Sequence, residues 1–232
     1  MMDDLALASS HDARQPLAAV ESNVPVSSVG FHPVRLHWSD FLTRAFDIMV
    51  SFGILLLTGP VMALVCLAIV FDGPGPILYR QTRVGRHGCD FVLLKFRSMV
   101  VDAESASGPC WAQSHDPRVT RIGHFLRMTR LDELPQLFNV LRGDMSVVGP
   151  RPERPHFVEQ LAAVIPGFRE RTAVRPGITG WAQTHYPYGA SVHDARMKLQ
   201  YDLYYIEHKS LFLDIRILFA TIPVMIFGTG AR

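Results

Sequence analysis

The stretch "IMVSFGILLLTGPVMALVCLAIVF", Ile48 to Phe71, carries no charged residue over 24 positions. A helix buried in a bilayer needs about 20 apolar residues in a row, so the stretch is long enough. A simple span would show an excess of Lys and Arg at one end. Here Arg35 and Arg44 precede the stretch, and Arg80, Arg83 and Arg86 follow it. Near its middle stands Thr58-Gly59-Pro60. Proline removes a helical hydrogen bond and kinks the helix. The Thr58 hydroxyl can bond back to a carbonyl and favour the same bend. Two basic flanks and a central kink suggest a re-entrant hairpin that dips into one leaflet. An ordinary span with a proline kink fits the pattern as well, and a buried helix of a soluble domain is the third option.

The flanking sequence differs in character. The first forty residues are mixed and polar, lack an apolar run and begin with Asp3 and Asp4, so no secretory signal is expected. Residues 1–35 are expected to form a disordered tail, 36–72 the membrane helix region, and 73–232 a cytosolic catalytic domain with interfacial C-terminal helices. The chain is 48% hydrophobic with mean hydropathy +0.15 and a net charge of only +2. Its bases are uneven: of 23 Lys and Arg, only Lys95, Lys198 and Lys209 are lysine. A GC-rich genome gives such a bias, and so does a need for planar, bidentate phosphate contacts. Cys66, Cys89 and Cys110 have no metal-type spacing, which fits a reducing compartment without disulfides.

Downstream, "ILYRQTRVG" and "DFVLLKFRSM" read as two strands joined through "RHG" as a hairpin. "RVTRIGHFLRMTR" has Ile122, Phe125 and Leu126 at helical spacing. It reads as an interfacial helix or as a plain packed one. Phe157 to Phe168 reads as a short helix closed by Pro166-Gly167, and "VRPGITGW" as a glycine-rich loop. Ser191 and Asp194 form a capping-box pattern ahead of an apolar face at Val192, Ala195, Leu199 and Leu203. The last apolar segment, from Ser210, is expected to break at Pro223. The fold class is therefore α+β: mostly helical, with a small β-hairpin and a kinked apolar helix expected to anchor the chain in a membrane, re-entrant or spanning.

The chemistry concentrates in "TRLDELPQLFNVLRGDMSVVGPRP", Thr129 to Pro152. Leu134, Leu137, Phe138 and Leu141 give a helical stripe, and Gly143 gives a stop. Pro135 is tolerated only in a first turn, so the helix is expected to start near Asp132. Asp132 and Glu133 then sit where a helix dipole favours negative charge. Acids at a helix start are also common caps. From Arg118 to Arg175 there are ten Arg, no Lys and six acids, an unusual surplus around the pair. Two carboxylates beside a phosphate site can do two things. One can attack phosphorus, or the pair can hold a Mg²⁺ that neutralises a diphosphate. The residues alone thus reach a membrane-surface phosphoryl-transfer enzyme.

The motifs "KFRSM", "RLDELPQLFNVLRGDMSVVGPRPE" and "VRPGITGWAQ", in that order, resemble the bacterial sugar transferase family of monotopic polyprenyl-phosphate hexose-1-phosphate transferases. The likeness runs from about Phe41 to the C-terminus. "YPYGASVHDARMKLQYDLYYI" and the ending "IFGTGAR" resemble its exosortase-associated branch, here in a compact catalytic-core form. The resemblance implies transfer of hexose-1-phosphate from a UDP-sugar to undecaprenyl phosphate, with UMP leaving, at the cytoplasmic face of the inner membrane. It implies Asp132 as nucleophile, Glu133 as its partner, and Mg²⁺ held by the two. Lys95, Arg97, Arg127, Arg151 and Arg175 are implied substrate or phosphate contacts. It also implies a re-entrant helix broken at a Ser-Pro pair, which reads Gly59-Pro60 here after Thr58. Some members carry Asn-Gly-Arg where this chain has Thr184-His185-Tyr186-Pro187, so no arginine is assigned there. A membrane lipid and a second copy of the chain are further expected partners. No nucleic-acid module is present. The competing readings are a non-catalytic scaffold for glycan assembly and an enzyme that releases sugar phosphate without a lipid acceptor.

Overall fold

The computed structural model describes residues 38–105, 108, 116–187, 189 and 191–226. The expected tail at 1–35, most of the polar loop before Asp116, Cys110, and the closing Gly228–Arg232 lie outside the described residues. The chain is mostly helical, with two small sheets and one long apolar helix. That helix, α1, runs from Trp38 to Asp72 and is assigned without interruption across Pro60. Its 35 residues measure about 52 Å along the helix path at 1.5 Å per residue. The Thr58 hydroxyl donates to Ile54 O at 2.7 Å, the back-bond expected from the sequence. By length and composition this helix can cross a membrane.

Burial along α1 follows one face and concentrates at its ends. Thr43, Asp47 and Ser51 are buried near the start, and Val65 and Ile69 near the end. Between them Phe52, Leu56, Leu57 and Leu64 are exposed, Leu57 by 81%. Such a run of bare leucine is foreign to a water-facing surface.

Strands β1 (Leu78–Val84) and β2 (Asp90–Phe96) pair antiparallel in the register Leu78 to Phe96, as a hairpin predicts. Its turn places His87 at φ 58. Helix α2 (Arg121–Met128) is capped by the Thr120 hydroxyl, which accepts from Gly123 N. Helix α3 (Gln136–Arg142) ends at Gly143, whose φ of 99 takes the left-handed conformation that glycine adopts without strain. The α-helix starts later than the sequence suggests. Leu131–Glu133 form a separate 3₁₀ turn, and Pro135 stands at the boundary. A proline is compatible with the first turn of a helix and not with its interior, which separates the two elements. Phe138 is 46% exposed, so the expected stripe is corrected: Gln136, Leu137, Asn139 and Val140 face inward.

The sequence also hides a second sheet. Strand β3 (Ser146–Val148) pairs in parallel with β4 (Gly177–Thr179), so "VVGPRP" and "VRPGITGW" are two halves of one crossing. A Cβ on Gly177 would stand 2.1 Å from Gly149 N, and one on Gly180 would stand 2.2 Å from Gly149 O. These glycines allow backbone to touch backbone, which three-residue strands need to pair at all. Helix α4 (Pro155–Val164) follows β3, while α5 (Trp181–His185) follows β4. Helix α6 (Val192–Glu207) carries the full reciprocal Ser191–Asp194 box, and its Val192 and Leu199 bury against Phe157, Leu161 and Phe168. Helix α7 (Leu211–Ile226) continues past Pro223 instead of breaking there.

Both ends of α1 are tied to one body. Arg44 Nη1 and Nη2 donate to Val140 O and Leu141 O at 2.6 and 2.8 Å, so the end of α3 is held by α1. The Asp47 carboxylate accepts from Ser146 Oγ and Val147 N, both at 2.9 Å. At the other end Val65 and Ile69 join Phe96, Leu126, Leu131 and Leu134. Gly177→Ala and Gly149→Ala are expected to lower stability by more than about 2 kcal/mol, because backbone cannot yield as a side chain can. Gly53→Ala, which meets nothing within 4 Å, is expected to stay within about 0.5 kcal/mol of wild type. Thermal unfolding of the three variants in one detergent checks this.

Candidate active site

Asp132 and Glu133 lie in the 3₁₀ turn ahead of α3, which begins after Arg130 takes the left-handed conformation at φ 56. Leu131 and Leu134, on either side of the pair, pack into the cluster that holds Val65 and Ile69 of α1. The turn therefore shares one core cluster with the long helix.

Strand β2 supplies the first cation. Its backbone is fixed by Asn139, fully buried on α3. Asn139 Oδ1 accepts from Leu94 N at 3.0 Å, and Nδ2 donates to Val92 O at 2.7 Å. One amide side chain thus replaces a neighbouring strand on the free edge of β2. Lys95, the next residue, projects Nζ to 2.8 Å from Glu133 Oε1 and 4.0 Å from Asp132 Oδ2. Arg151 reaches Glu133 from the Pro-Arg-Pro turn, with Nη2 2.6 Å from Oε1 and Nη1 3.4 Å from Oε2. Arg127 is held by Ser98, its Nε donating to Oγ at 3.0 Å.

These contacts divide the two carboxylates. Burial pushes Glu133 up, but Arg151 and Lys95 overcome it and hold the carboxyl well below the ordinary range. Glu133 is a fixed anion. Asp132 is also buried, and burial raises its carboxyl above the ordinary value. Lys95, Arg127 and Arg151 pull it back, while the charge of Glu133 adds to the rise. Among the described residues no hydrogen bond to the Asp132 side chain is made; its nearest cation is Lys95 at 4.0 Å. One acid of the pair is neutralised by its neighbours, and the other is left with lone pairs to use.

The structure brings Asp132, Glu133, Lys95 and Arg151 together, with Arg127 near enough to act on Asp132. It places two other expected phosphate contacts elsewhere. Arg97 is buried with Nη1 on Pro74 O and Nη2 on Ile69 O and Gly73 O, so it closes the C-terminal end of α1. Arg175 Nε donates to Gly143 O at 3.1 Å, at the end of α3 away from the pair. Asn139 and Ser98 were not read from the sequence as site residues. Asn139 carried one signal: a polar residue between apolar positions of a short helix. Among the described residues no group of three or more His, Cys, Asp or Glu is arranged to hold a metal. A small cavity of about 20 Å³ lies behind Arg151, lined by Val84, Pro152, Arg171 and Val174; it has room for roughly one water.

The model of the family described as "Bacterial sugar transferase" matches residues 38–228, which include every element above. The chain belongs to the bacterial sugar transferase family. It is 46% identical over 192 residues to the UDP-N-acetylgalactosamine-undecaprenyl-phosphate N-acetylgalactosaminephosphotransferase of Aeromonas hydrophila, covering 83% of this chain and 45% of that one. It is 45% identical over 183 residues to the UDP-glucose:undecaprenyl-phosphate glucose-1-phosphate transferase of Escherichia coli K12, covering 78% and 39%. To the exopolysaccharide production protein PSS of Rhizobium leguminosarum it is 43% identical over 189 residues, covering 78% and 93%. The chain thus spans less than half the length of the first two and nearly all of the third.

Lys95→Met is expected to move the Asp132 carboxyl further up. Removing a nearby cation disfavours the ionised form, and here nothing else approaches Asp132 as closely. A carbonyl-detected NMR titration of aspartate-labelled protein in micelles reads the shift; a downward or absent shift contradicts the electrostatics described.

Proposed function

We propose that the chain transfers hexose-1-phosphate from a UDP-sugar to undecaprenyl phosphate, releases UMP, and so starts an exopolysaccharide or related glycan at the cytoplasmic face of the bacterial inner membrane. The observation that carries this reading is the unequal pair: a buried Asp132 with free lone pairs beside a Glu133 already neutralised by Lys95 and Arg151. Family membership and the printed activities of the relatives support the substrates.

Asp132 attacks the sugar-bearing phosphorus of the UDP-sugar. An oxygen–phosphorus bond forms, the bond to UMP breaks, and a phosphosugar remains on the carboxylate. An oxygen of undecaprenyl phosphate then attacks the same phosphorus, and Asp132 leaves as a free carboxylate. Two displacements at one residue avoid bringing two polyanions together in one step. Lys95, Arg127 and Arg151 present fixed positive charge where phosphate charge builds up. Glu133 is too acidic to donate a proton near neutral pH; it keeps Lys95 and Arg151 aimed at the site.

The residues present fit a Mg²⁺. Asp132 makes no hydrogen bond among the described residues, and Glu133 Oε2 accepts only one long bond at 3.4 Å, so each retains an oxygen for a hard cation. With two protein carboxylates at most, the remaining ligands would come from the diphosphate and water, as Mg²⁺ commonly takes them. Such an ion would neutralise charge on the leaving UMP.

The clamped ends of α1 support the re-entrant reading. A helix that crossed a bilayer would separate its ends by some 30 Å of hydrocarbon. Here the partners at both ends, Val140 and Leu141 on one side and Phe96 and Leu134 on the other, belong to the few elements around α3. The bare leucines of the middle are then the part that enters the lipid. The exposed Phe212, Phe219 and Ile222 of α7 supply an interfacial face of the same kind.

Purified protein with Mg²⁺, undecaprenyl phosphate and a panel of UDP-sugars is expected to release UMP over many turnovers with one donor and only when the lipid is present; without lipid, release stops at one UMP per chain. Asp132→Asn is expected to lose at least about 10³-fold in rate together with the covalent adduct seen by intact mass. Glu133→Gln is expected to be slowed but still labelled. Repeated turnover without lipid would favour the hydrolytic reading, and no release with no adduct would favour the scaffold. In whole cells, Phe41→Cys and the native Cys89, each alone in a background without the other cysteines, are expected to stay unlabelled by an impermeant thiol reagent and to label in inverted vesicles. Opposite sidedness of the two would show a crossing helix.

A further inference from the structure

The Pro150–Glu153 segment has an unusual support. Its two prolines donate nothing, yet its four successive carbonyls each accept from a different place. Pro150 O accepts from Gly177 N at 2.9 Å and Glu153 O from Val84 N at 2.9 Å, both backbone. The two in the middle are held by arginine side chains: Pro152 O by Arg83 Nη1 at 3.0 Å, and Arg151 O by Arg171 Nη2 at 3.0 Å. Glu153 stands between these arginines, 3.8 Å from each. Arg171 in turn is fixed by Asp202 of α6, with Nη2 and Oδ2 2.8 Å apart and both side chains almost wholly buried. Asp202 lies on the same apolar helical face as Leu199 and Leu203. An acid there is costly unless it is paired, and breaking the pair leaves a buried charge uncompensated.

From this we infer that Arg171 and Asp202 are positioning residues that aim Arg151 at the Asp132–Glu133 pair. The inference rests on the transfer reaction proposed above. A line of contacts runs from Asp202 through Arg171 to the backbone of Arg151, and from the Arg151 guanidinium to Glu133. Neither Arg171 nor Asp202 touches the pair. With prolines on both sides, Arg151 has little backbone freedom of its own, so the carbonyl anchor sets the direction of its side chain. Without Arg171 the Arg151 carbonyl loses its donor and the turn is free to settle by a different route. A displacement of about 1 Å at a phosphate-binding group can cost about 100-fold in rate.

The test is a double-mutant cycle on the full chain in detergent. Rates of UMP release are followed at enzyme levels that keep the slowest variant above background. Arg171→Ala is expected to lower kcat about 10- to 100-fold with KM for the UDP-sugar changed less than about threefold. Asp202→Asn should move the same way by less. The combined Arg151→Ala/Arg171→Ala variant is expected to be no slower than Arg151→Ala alone, since Arg171 then has nothing to aim. Additive losses, or a wild-type kcat in Arg171→Ala, would overturn the inference. If Arg171→Ala does not fold, Asp202→Asn carries the same cycle. A second reading needs no turnover. Loosening Arg151 frees its guanidinium from Glu133, so the Arg151 side-chain N–H signals, followed by ¹⁵N NMR, should exchange with solvent faster in Arg171→Ala than in wild type. Unchanged Arg151 exchange sinks the inference even if the enzyme is active. Faster Arg151 exchange in a chain that transfers no sugar phosphate leaves the geometry standing and sinks the proposed reaction.

Discussion

Everything at the candidate site depends on the side chain of Asn139. It bonds the open edge of β2 through Leu94 N and Val92 O, and its own backbone oxygen takes the amides of Gly143, Asp144 and Met145. The amide thus locks the register of the hairpin against α3. Lys95 meets Glu133 because the residue before it is held. A leucine at 139 would fill the space and leave both strand groups unpaired, each costing about 1–3 kcal/mol. A buried amide with both ends satisfied specifies one arrangement where an apolar contact would tolerate several.

From that joint the division of labour between the two acids follows. Adjacent carboxylates in a buried turn cannot share one environment. Glu133 faces two cations and takes nearly all their attention, so it remains charged. Asp132 is buried, makes no hydrogen bond among the described residues, and lies beside the charge of its neighbour. A carboxylate that is poorly solvated and lightly bonded is more reactive than one satisfied by water. In the proposed reaction the cations that would meet phosphate are in place before substrate arrives, because Glu133 holds them there. The fixed cations and the lightly bonded Asp132 are thus two results of a single asymmetric cluster.

Much of this was legible in the sequence, and the gaps have physical causes. The hairpin, α2, the Ser191–Asp194 cap and the Gly143 stop each depend on local chemistry, which a window of a few residues contains. The Asp-Glu pair stood out because arginine crowds around it. The β3–β4 crossing did not, since three-residue strands give no alternation to detect and the pairing partners are about thirty residues apart. Arg97 and Arg175 are implied phosphate contacts by resemblance, and the contacts that the structure adds, to carbonyls at the ends of α1 and α3, depend on what lies nearby in space. Phe138 matched a helical stripe but faces outward, because α3 must present Asn139 to the strand. Asp202 and Arg171 were hidden for a similar reason: a long-range ion pair leaves only an odd acid on an otherwise apolar face.

The two clamps on α1 also set an order of events during synthesis. The helix is complete by residue 72, but its first end has no partner until much later. Asp47 waits for Ser146 and Val147, 99 and 100 residues on, and Asp40 waits for Lys209, 169 residues on. At about 5–20 residues per second a ribosome needs some 5–20 s to supply the nearer pair. Through that interval an apolar helix with a polar end has left the ribosome without its docking surface. If α1 enters lipid as proposed, its delivery and the closure of the domain are therefore separate stages in the birth of this protein.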